Sequence, residues 1–370
     1  MAGTMIRRGQ AQQLYDDHAQ SLVQKELFPE AFAARGLLPY NHPPFEALPF
    51  AAITRLSYIR AYSLVIGLNV FLLIMCVHVL KHWLPVLNSI LPRFLYLVPF
   101  AFYPVAYALV QGQDSVLLLM LYSLAYVSLR QGKKLRAGIF LGLGLFKFHL
   151  VLPFIFILLL RRCWPALKGV LMSATVAFAV SWAIVGTKAL VSYPSYLLHV
   201  NRWETSGVVI VPSNMPNLRG LFMLWAKQSL PVEIGLITVS VGILVWAAYR
   251  WRVDDLRDLN VWNAGFSLAM VAGFLAGFHS YSHDLSILLL PGLLGIDCVL
   301  ERCLPKHVFA LKSILVLMFF SPLHFLLTLY ASREALFALV LLAWVYFLAD
   351  SSCSAPRLDA RMAEAASRAS

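Results

Sequence analysis

Charged residues are scarce in this sequence. Only 13% of its 370 residues are Asp, Glu, Lys or Arg, whereas 60% are hydrophobic and the mean hydropathy is +0.74. A soluble domain carries about 25% charged and about 45–50% apolar residues. A water-soluble globular protein is therefore excluded, and an all-α polytopic membrane protein is expected. Acidic residues are scarcer still, 18 against 30 Lys and Arg. The net charge of +12 is read as topology, because basic residues collect in cytoplasmic loops. It does not indicate nucleic acid as a partner, since no basic face with interleaved aromatics stands outside the apolar runs. Cysteine is sparse, and Cys76, Cys163, Cys298, Cys303 and Cys353 form no CxxC and no spacing that suggests a disulfide framework. Met1 to Pro39 lacks the apolar core of a signal peptide. GxSxG, HExxH, a Walker-type loop and GxGxxG are all lacking, which removes the chemistries those motifs carry. No repeat of 20–50 residues and no pair of inverted halves stands out, which weighs against a secondary transporter.

What is there is a series of apolar runs. Spans are expected near 61–80, 94–110, 115–129, 165–187, 231–249, 263–278, 285–300, 307–330 and 334–349, about nine in all. They define a transmembrane domain over 61–349, preceded by an N-terminal segment over 1–60 and followed by a tail over 350–370 that is expected to be disordered. Basic residues recur between spans: Lys81 and Arg93; Arg130, Lys133, Lys134 and Arg136; Arg250, Arg252 and Arg257; Arg302, Lys306 and Lys312. Placing all of them in the cytoplasm puts the tail inside and the N-terminal segment outside. Ala137 to Leu160 breaks the alternation, because Arg136 precedes it and Arg161-Arg162 follow. A re-entrant hairpin resolves the conflict, with Ala137–Phe146 rising, Leu150–Leu160 returning, and Lys147, Phe148 and His149 at the tip. Gly138, Gly142 and Gly144 suit close packing of the rising half.

That topology gathers polar clusters on the outer side. The most concentrated is His279-Ser280-Tyr281-Ser282-His283-Asp284, set between two apolar runs. It is either an ordinary wet loop or one wall of a site, since such residues are costly near a membrane without water, ligand or partner. Asn41-His42 before tandem prolines, Gln111-Gly112-Gln113-Asp114 and the 201–219 loop with Arg219 reach the same side. Lys147 lies among Phe146, Phe148 and leucines, where a lysine is costly without an anionic partner; its plain alternative to binding an anionic ligand is a snorkelling or carboxylate-paired lysine. His149 stands beside it, and its plain alternative is a hydrogen-bonded core histidine. Arg219 is a second candidate for an anionic ligand, with interfacial snorkelling as its plain alternative, and Asp114 is either a pocket residue or a helix N-cap. His283 and Asp284 are the catalytic candidates, Asp284 as a possible acid/base or hydroxyl ligand and His283, with His279, as a possible hydrogen-bond donor to a ligand. Asn41, His42, Gln111, Gln113, His279 and Tyr281 are candidate substrate ligands. His279-x3-His283 has metal-ligand spacing but no third ligand, so no metal and no cofactor is expected.

In order, Leu14-Tyr15-Asp16, Pro39-Tyr40-Asn41-His42-Pro43-Pro44, Gln111-Gly112-Gln113-Asp114, Ala137-Gly138 with Gly142 and Lys147, Arg161-Arg162, and Tyr281-Ser282-His283-Asp284 resemble glycosyltransferase family 87. The resemblance covers most of Met1 to about Leu300. It implies a GT-C-like helical bundle that moves a hexose, mannose-like, from a polyprenyl-phosphate donor to an acceptor hydroxyl, with Lys147 as the leading candidate for the donor phosphate and Arg219 as the second. It places the reaction on the extracytoplasmic face of the plasma membrane, with a lipid or glycan acceptor and membrane lipids as partners. It also implies a further helix ahead of Ala2, followed by the acidic residue that serves as base. On that expectation the catalytic base lies outside this chain and the start is truncated or misassigned. Two other readings stand beside the enzyme: a non-catalytic lipid-phosphate carrier or transporter, and an inactive truncated homologue.

Overall fold

Long apolar stretches enter a bilayer only as helices, because each backbone N–H and C=O must be satisfied within its own segment. A computed structural model describes the chain except for residues 202–210, 228, 257, 302–307, 331–332 and 352–370. Every regular element among the described residues is helical. In chain order the longer ones are α1 (Tyr58–Leu80), α2 (Ser115–Arg130), α3 (Lys134–Leu143), α4 (Phe148–Leu160), α5 (Trp164–Asn201), α6 (Leu230–Arg250), α7 (Leu259–Ala276), α8 (Leu289–Glu301), α9 (Val308–Phe319) and α10 (Phe337–Ser351). The protein is thus a polytopic helical membrane protein.

Seven described helical segments are long and apolar enough to cross a membrane, or eight if Val308–Phe319 and Ser321–Thr328, bent by 55°, form one span. Two further expected spans are shorter or broken. Over 94–110 the chain forms a tight 3-10 stretch, Phe94–Ala101, then an extended Phe102, then a helix Tyr103–Val110. Pro99 and Pro104 each remove a backbone donor there, which interrupts a continuous α-helix. Helix α2 has 16 residues and reaches ~24 Å.

Paired contacts set the directions of the helices. Tyr62 donates to the Val110 carbonyl (2.6 Å), Asn69 to the Gln113 carbonyl (3.1 Å), and Cys76 Sγ meets Ser123 Oγ (3.0 Å). Residue numbers rise together, so α1 and α2 run the same way, from an end marked by Asp114 to an end marked by Arg130. At that basic end Arg130 lies over the rings of Trp83 and Trp262, 5.0 and 5.3 Å from their centroids, and donates to Asn263 (3.1 Å). Helix α7 starts there and climbs back, almost wholly buried from Ala264 to Leu275. It is the central helix of the bundle.

The segment Lys134–Leu160 doubles back, although its length alone would suit a single span. A methyl group on Gly138 would strike Ala166, one on Gly142 would meet Ser173 and Val170, and one on Gly169 would meet Leu135 and Ile139. Helix α3 therefore lies against the first turns of α5 with both running in one direction. Only residues 161–163 separate Leu160 from Trp164, so α4 must return to the level at which α3 began. Lys134 is accordingly paired with Asp254, and Arg161 lines a surface depression with the same Asp254. The turn at the far end is the 3-10 stretch Gly144–Lys147, which puts Lys147 at the tip.

Ahead of α1 the chain folds into short helices that pack on the second half of α5. Met5, Leu14 and Val23 bury with Val185 and Ala189, and the Tyr15 ring lies 4.7 Å from Tyr193 and 5.3 Å from Tyr196. That half of α5 is re-aimed by Gly186, whose φ of 74° and ψ of 174° interrupt the helix. The residues expected to form an interfacial piece, Leu190 to Val200, belong to it. Gln20 and Gln24 hold the extended residues before Pro43: Gln20 accepts from the Tyr40 amide (2.8 Å) and Gln24 from the Leu38 amide (3.0 Å). Cys298 is disulfide-bonded, which corrects the reading drawn from cysteine spacing, and Cys76 and Cys163 are free and buried. Beyond Ser351 the tail lies outside the described residues, as do Arg202, Trp203 and Glu204.

The α3–α5 contact makes a direct prediction. Gly138→Ala forces the two helices apart and is expected to cost about 1–3 kcal/mol. Gly67→Ala, on α1 with open space around it, is expected to be neutral or to gain up to about 1 kcal/mol. Unfolding of both variants in detergent micelles, followed by circular dichroism, compares them.

Candidate active site

Three helix ends converge at the end of the bundle opposite Arg130. One is the Asp114–Ser115 start of α2, another is the Lys147 tip of the hairpin, and the third is the turn that leads from α7 to the 3-10 stretch Ser282–Leu288. Lys147 is 2% exposed and sits between two carboxylates, 3.0 Å from Asp114 Oδ1 and 2.7 Å from Asp284 Oδ1. Its ammonium also donates to Ser115 Oγ at 2.8 Å. Ser115 Oγ in turn donates to Asp284 Oδ1 at 2.9 Å, and the Tyr281 amide donates to Asp284 Oδ2 at 3.0 Å. A buried charge is tolerable only when paired and hydrogen-bonded, and this cluster meets that condition for Asp284. Asp114 occupies the N-cap position of α2, yet its carboxylate does not cap the helix and turns to Lys147 instead.

A cavity of about 760 Å³ opens above the cluster. Its polar wall carries Asn41, His42, Gln113, Lys147, His149, His279, Tyr281, His283 and Asp284. Its apolar wall carries Leu38, Pro194, Leu197, Leu198, Val200 and Phe278, largely from the redirected half of α5. The histidines form a row with the Tyr281 ring: His149 to His279 6.2 Å, His279 to Tyr281 4.9 Å and Tyr281 to His283 6.0 Å between centroids. His283 Nε2 lies 3.5 Å from Asp284 Oδ1. His149 Nε2 and His279 Nδ1 are buried without a protein partner among the described residues. Burial, reinforced by the Arg219 guanidinium, lowers the His279 pKa to about 4.

Most of the residues expected from the sequence are brought together, with three exceptions in detail. Gln111 is exposed and bonds to the Tyr107 side chain, away from the cavity. Arg219 is buried over the Phe278 ring, 4.0 Å from its centroid, and its contact with the Phe278 carbonyl is long at 3.5 Å. It therefore borders the chamber through Phe278. Lys147 reaches the cavity, and its ammonium donates to Asp284 (2.7 Å) and Ser115 (2.8 Å) and stands 3.0 Å from Asp114, so two carboxylates already meet its charge. Its carboxylate-paired alternative is the one the geometry follows. Asn41 and His42 do line the wall, and their carbonyls accept from Tyr193 (2.9 Å) and Tyr15 (2.8 Å).

Two residues of the site went unread in the sequence, Ser115 and Glu46. Glu46 Oε2 stands 2.6 Å from His42 Nδ1. Burial opposes a proton on His42 while the neighbouring Glu46 carboxylate favours it, and the carboxylate prevails, raising the imidazole pKa above its ordinary value. The signal was the i, i+4 spacing of His42 and Glu46 across a Pro-started helix, Pro44–Ile53.

Two measurements test the site. Lys147→Met strands two buried carboxylates and is expected to destabilise the fold by roughly 3–5 kcal/mol, with Asp284→Asn added to the same variant recovering part of that loss; unfolding in detergent reads both. His279 binds its proton in the unfolded chain below pH ~6.5 and in the folded chain only near pH 4. The unfolded state thus holds the extra proton across that window, so its contribution to stability is lost as pH falls from about 6.5 towards 4. His279→Gln is expected to flatten that part of the melting-temperature profile.

A family model described as glycosyltransferase family 87 matches residues 40–276, more than half of the chain. The match takes in Asn41, His42, Asp114, Lys147, His149 and Arg219 and ends just before His279. No curated protein and no solved structure matches the chain. On the extent of that match, and with two of its segments, Asp114–Ser115 and the Lys147 tip, meeting at one buried cluster, the chain belongs to glycosyltransferase family 87.

Proposed function

We propose that this membrane glycosyltransferase moves a hexose, mannose-like, from a polyprenyl-phosphate donor to the hydroxyl of a lipid or glycan acceptor. Its family makes it a membrane glycosyltransferase; the donor, sugar and acceptor are our reading. One observation carries that reading, the division of a single cavity into an apolar wall and a polar floor of histidines, tyrosine and carboxylate. A lipid-linked sugar phosphate has the same division. Its isoprenoid chain fits against Leu197, Leu198 and Val200, and its head group faces His149, His279 and His283. Basic residues cluster at the opposite end, around Arg130, Lys134, Arg161 and Arg252, which by the positive-inside rule supports an extracytoplasmic cavity in the plasma membrane. The N-terminal segment is then outside and the tail inside.

In this mechanism the acceptor oxygen attacks the anomeric carbon while the bond from that carbon to the phosphate oxygen breaks, and the polyprenyl phosphate leaves with the bonding pair. His283 takes the hydroxyl proton. Asp284, 3.5 Å from its Nε2, stabilises the imidazolium that forms and the positive charge that develops on the sugar ring. His149 and His279 donate to the phosphate oxygens. Lys147 acts through its charge and by fixing the two aspartates, not as a direct ligand. Asn41 and Gln113 contact sugar or acceptor hydroxyls.

Reconstituted protein given labelled mannosyl phosphoryl polyprenol and a lipid acceptor tests this. His283→Ala is expected to lower kcat by roughly 10²–10⁴ with little change in KM. An unchanged kcat removes His283 from its role. Translocation of the donor without a new glycosidic bond replaces the enzyme with a carrier.

A further inference from the structure

The charges around the cavity do not balance. Two carboxylates, Asp114 and Asp284, face one ammonium, Lys147, and Glu46 is matched by His42, so the cluster carries one surplus negative charge at the place where an anionic phosphate is to bind. Lys147 already donates to Asp284 and Ser115, and no other lysine or arginine lines the cavity among the described residues. A second observation lies beside that excess. His42 Nδ1, Glu46 Oε2 and both oxygens of Asp114 are buried, and none makes an aligned hydrogen bond. His42 Nδ1 and Glu46 Oε2 are 2.6 Å apart without the alignment that a hydrogen bond requires. One atom from each of the three residues lies within 4.8 Å of the others. They come from separate elements: the turn before Pro43, the helix Pro44–Ile53, and the start of α2.

We propose that His42, Glu46 and Asp114 form a binding site for one divalent cation of the imidazole- and carboxylate-binding class, Mn²⁺ or Zn²⁺. One nitrogen and two anionic oxygens are a ligand set that such ions accept, with further positions left for water or an oxygen of a bound molecule. Two carboxylates supply the charge that offsets the ion, and the ion in turn cancels the surplus negative charge of the cluster. His42 lines the cavity and its side chain is 31% exposed, which gives the ion a route in from the cavity. Asp114 then bridges the cation and Lys147, so that two positive centres share one carboxylate. The site itself is independent of the donor assigned above. A role in holding the donor phosphate rests on that assignment.

The test is cation binding without any donor, so its outcome is separate from that of the transfer assay. The full chain in lipid nanodiscs is stripped with chelator. It is then titrated with Mn²⁺ under electron paramagnetic resonance detection, and with Zn²⁺ by elemental analysis after desalting. One saturable equivalent is expected in the unaltered protein, with a rise in melting temperature on adding the ion. Glu46→Gln and His42→Gln leave the Lys147 pairs intact, and each is expected to weaken binding at least ~10-fold. Asp114→Asn is expected to do the same where it folds. No stoichiometric binding at millimolar Mn²⁺, or binding unaltered in both Glu46→Gln and His42→Gln, overturns the proposal.

Discussion

The ion pairing of Lys147 with Asp114 and Asp284 is the constraint on which the rest of the cavity depends. Burying an ammonium in an apolar bundle costs several kcal/mol unless anionic groups meet it. Here the two carboxylates arrive from opposite directions, one from the loop before α2 and one from the turn after α7. The hairpin tip, the α2 start and the 279–284 turn are thereby held in a single arrangement. The cavity floor is a consequence of that arrangement, since His149 follows Lys147 by two residues and His283 immediately precedes Asp284.

The apolar wall has a different origin. It exists because α5 does not continue straight. At Gly186 the backbone leaves the helical region, and the following half-helix swings over the converged ends. The N-terminal segment then seals the back of that half-helix with its tyrosine cluster and presents Asn41 and His42 to the cavity. Two wall types of opposite polarity therefore come from two separate devices, a buried ion cluster and a broken helix. Their combination suits an amphiphilic substrate better than either would alone.

Much of the architecture was legible from the residues, for reasons that differ by element. Scarcity of charge and the long apolar runs identify the membrane class, because the bilayer imposes helix length and polarity directly. The hairpin was legible from charge alone: Arg136 and Arg161 cannot both lie on the basic side if Ala137–Leu160 crosses once. The placement of His279–Asp284 at the end of the bundle away from Arg130 and Lys134 followed from the same reasoning. What was not legible depends on side-chain geometry. Lys147 reads first as a phosphate ligand and second as a paired lysine, and its pairing with two aspartates far apart in the chain is visible only in three dimensions. Glu46 sits four residues from His42 in plain sight, but the pair gains meaning only when Asp114 is brought beside it. Gln111 and Gln113 are two residues apart and equally polar, yet one faces outward and the other lines the cavity, a difference set by the turn at Gly112, whose φ is 63°.

The distance along the chain between Lys147 and Asp284 has a consequence for biogenesis. The two are 137 residues apart. At about 5–20 residues per second, the ribosome delivers Asp284 on the order of ten seconds after Lys147. During that interval the hairpin tip has Asp114 as its carboxylate neighbour and lacks the central helix against which α4 finally packs. Insertion of the first half of the membrane domain is thus provisional, and the hairpin locks only when the last turn of the cavity has been synthesised. A nascent chain halted before residue 284 would carry its buried cation half-compensated, with Asp114 alone to meet it.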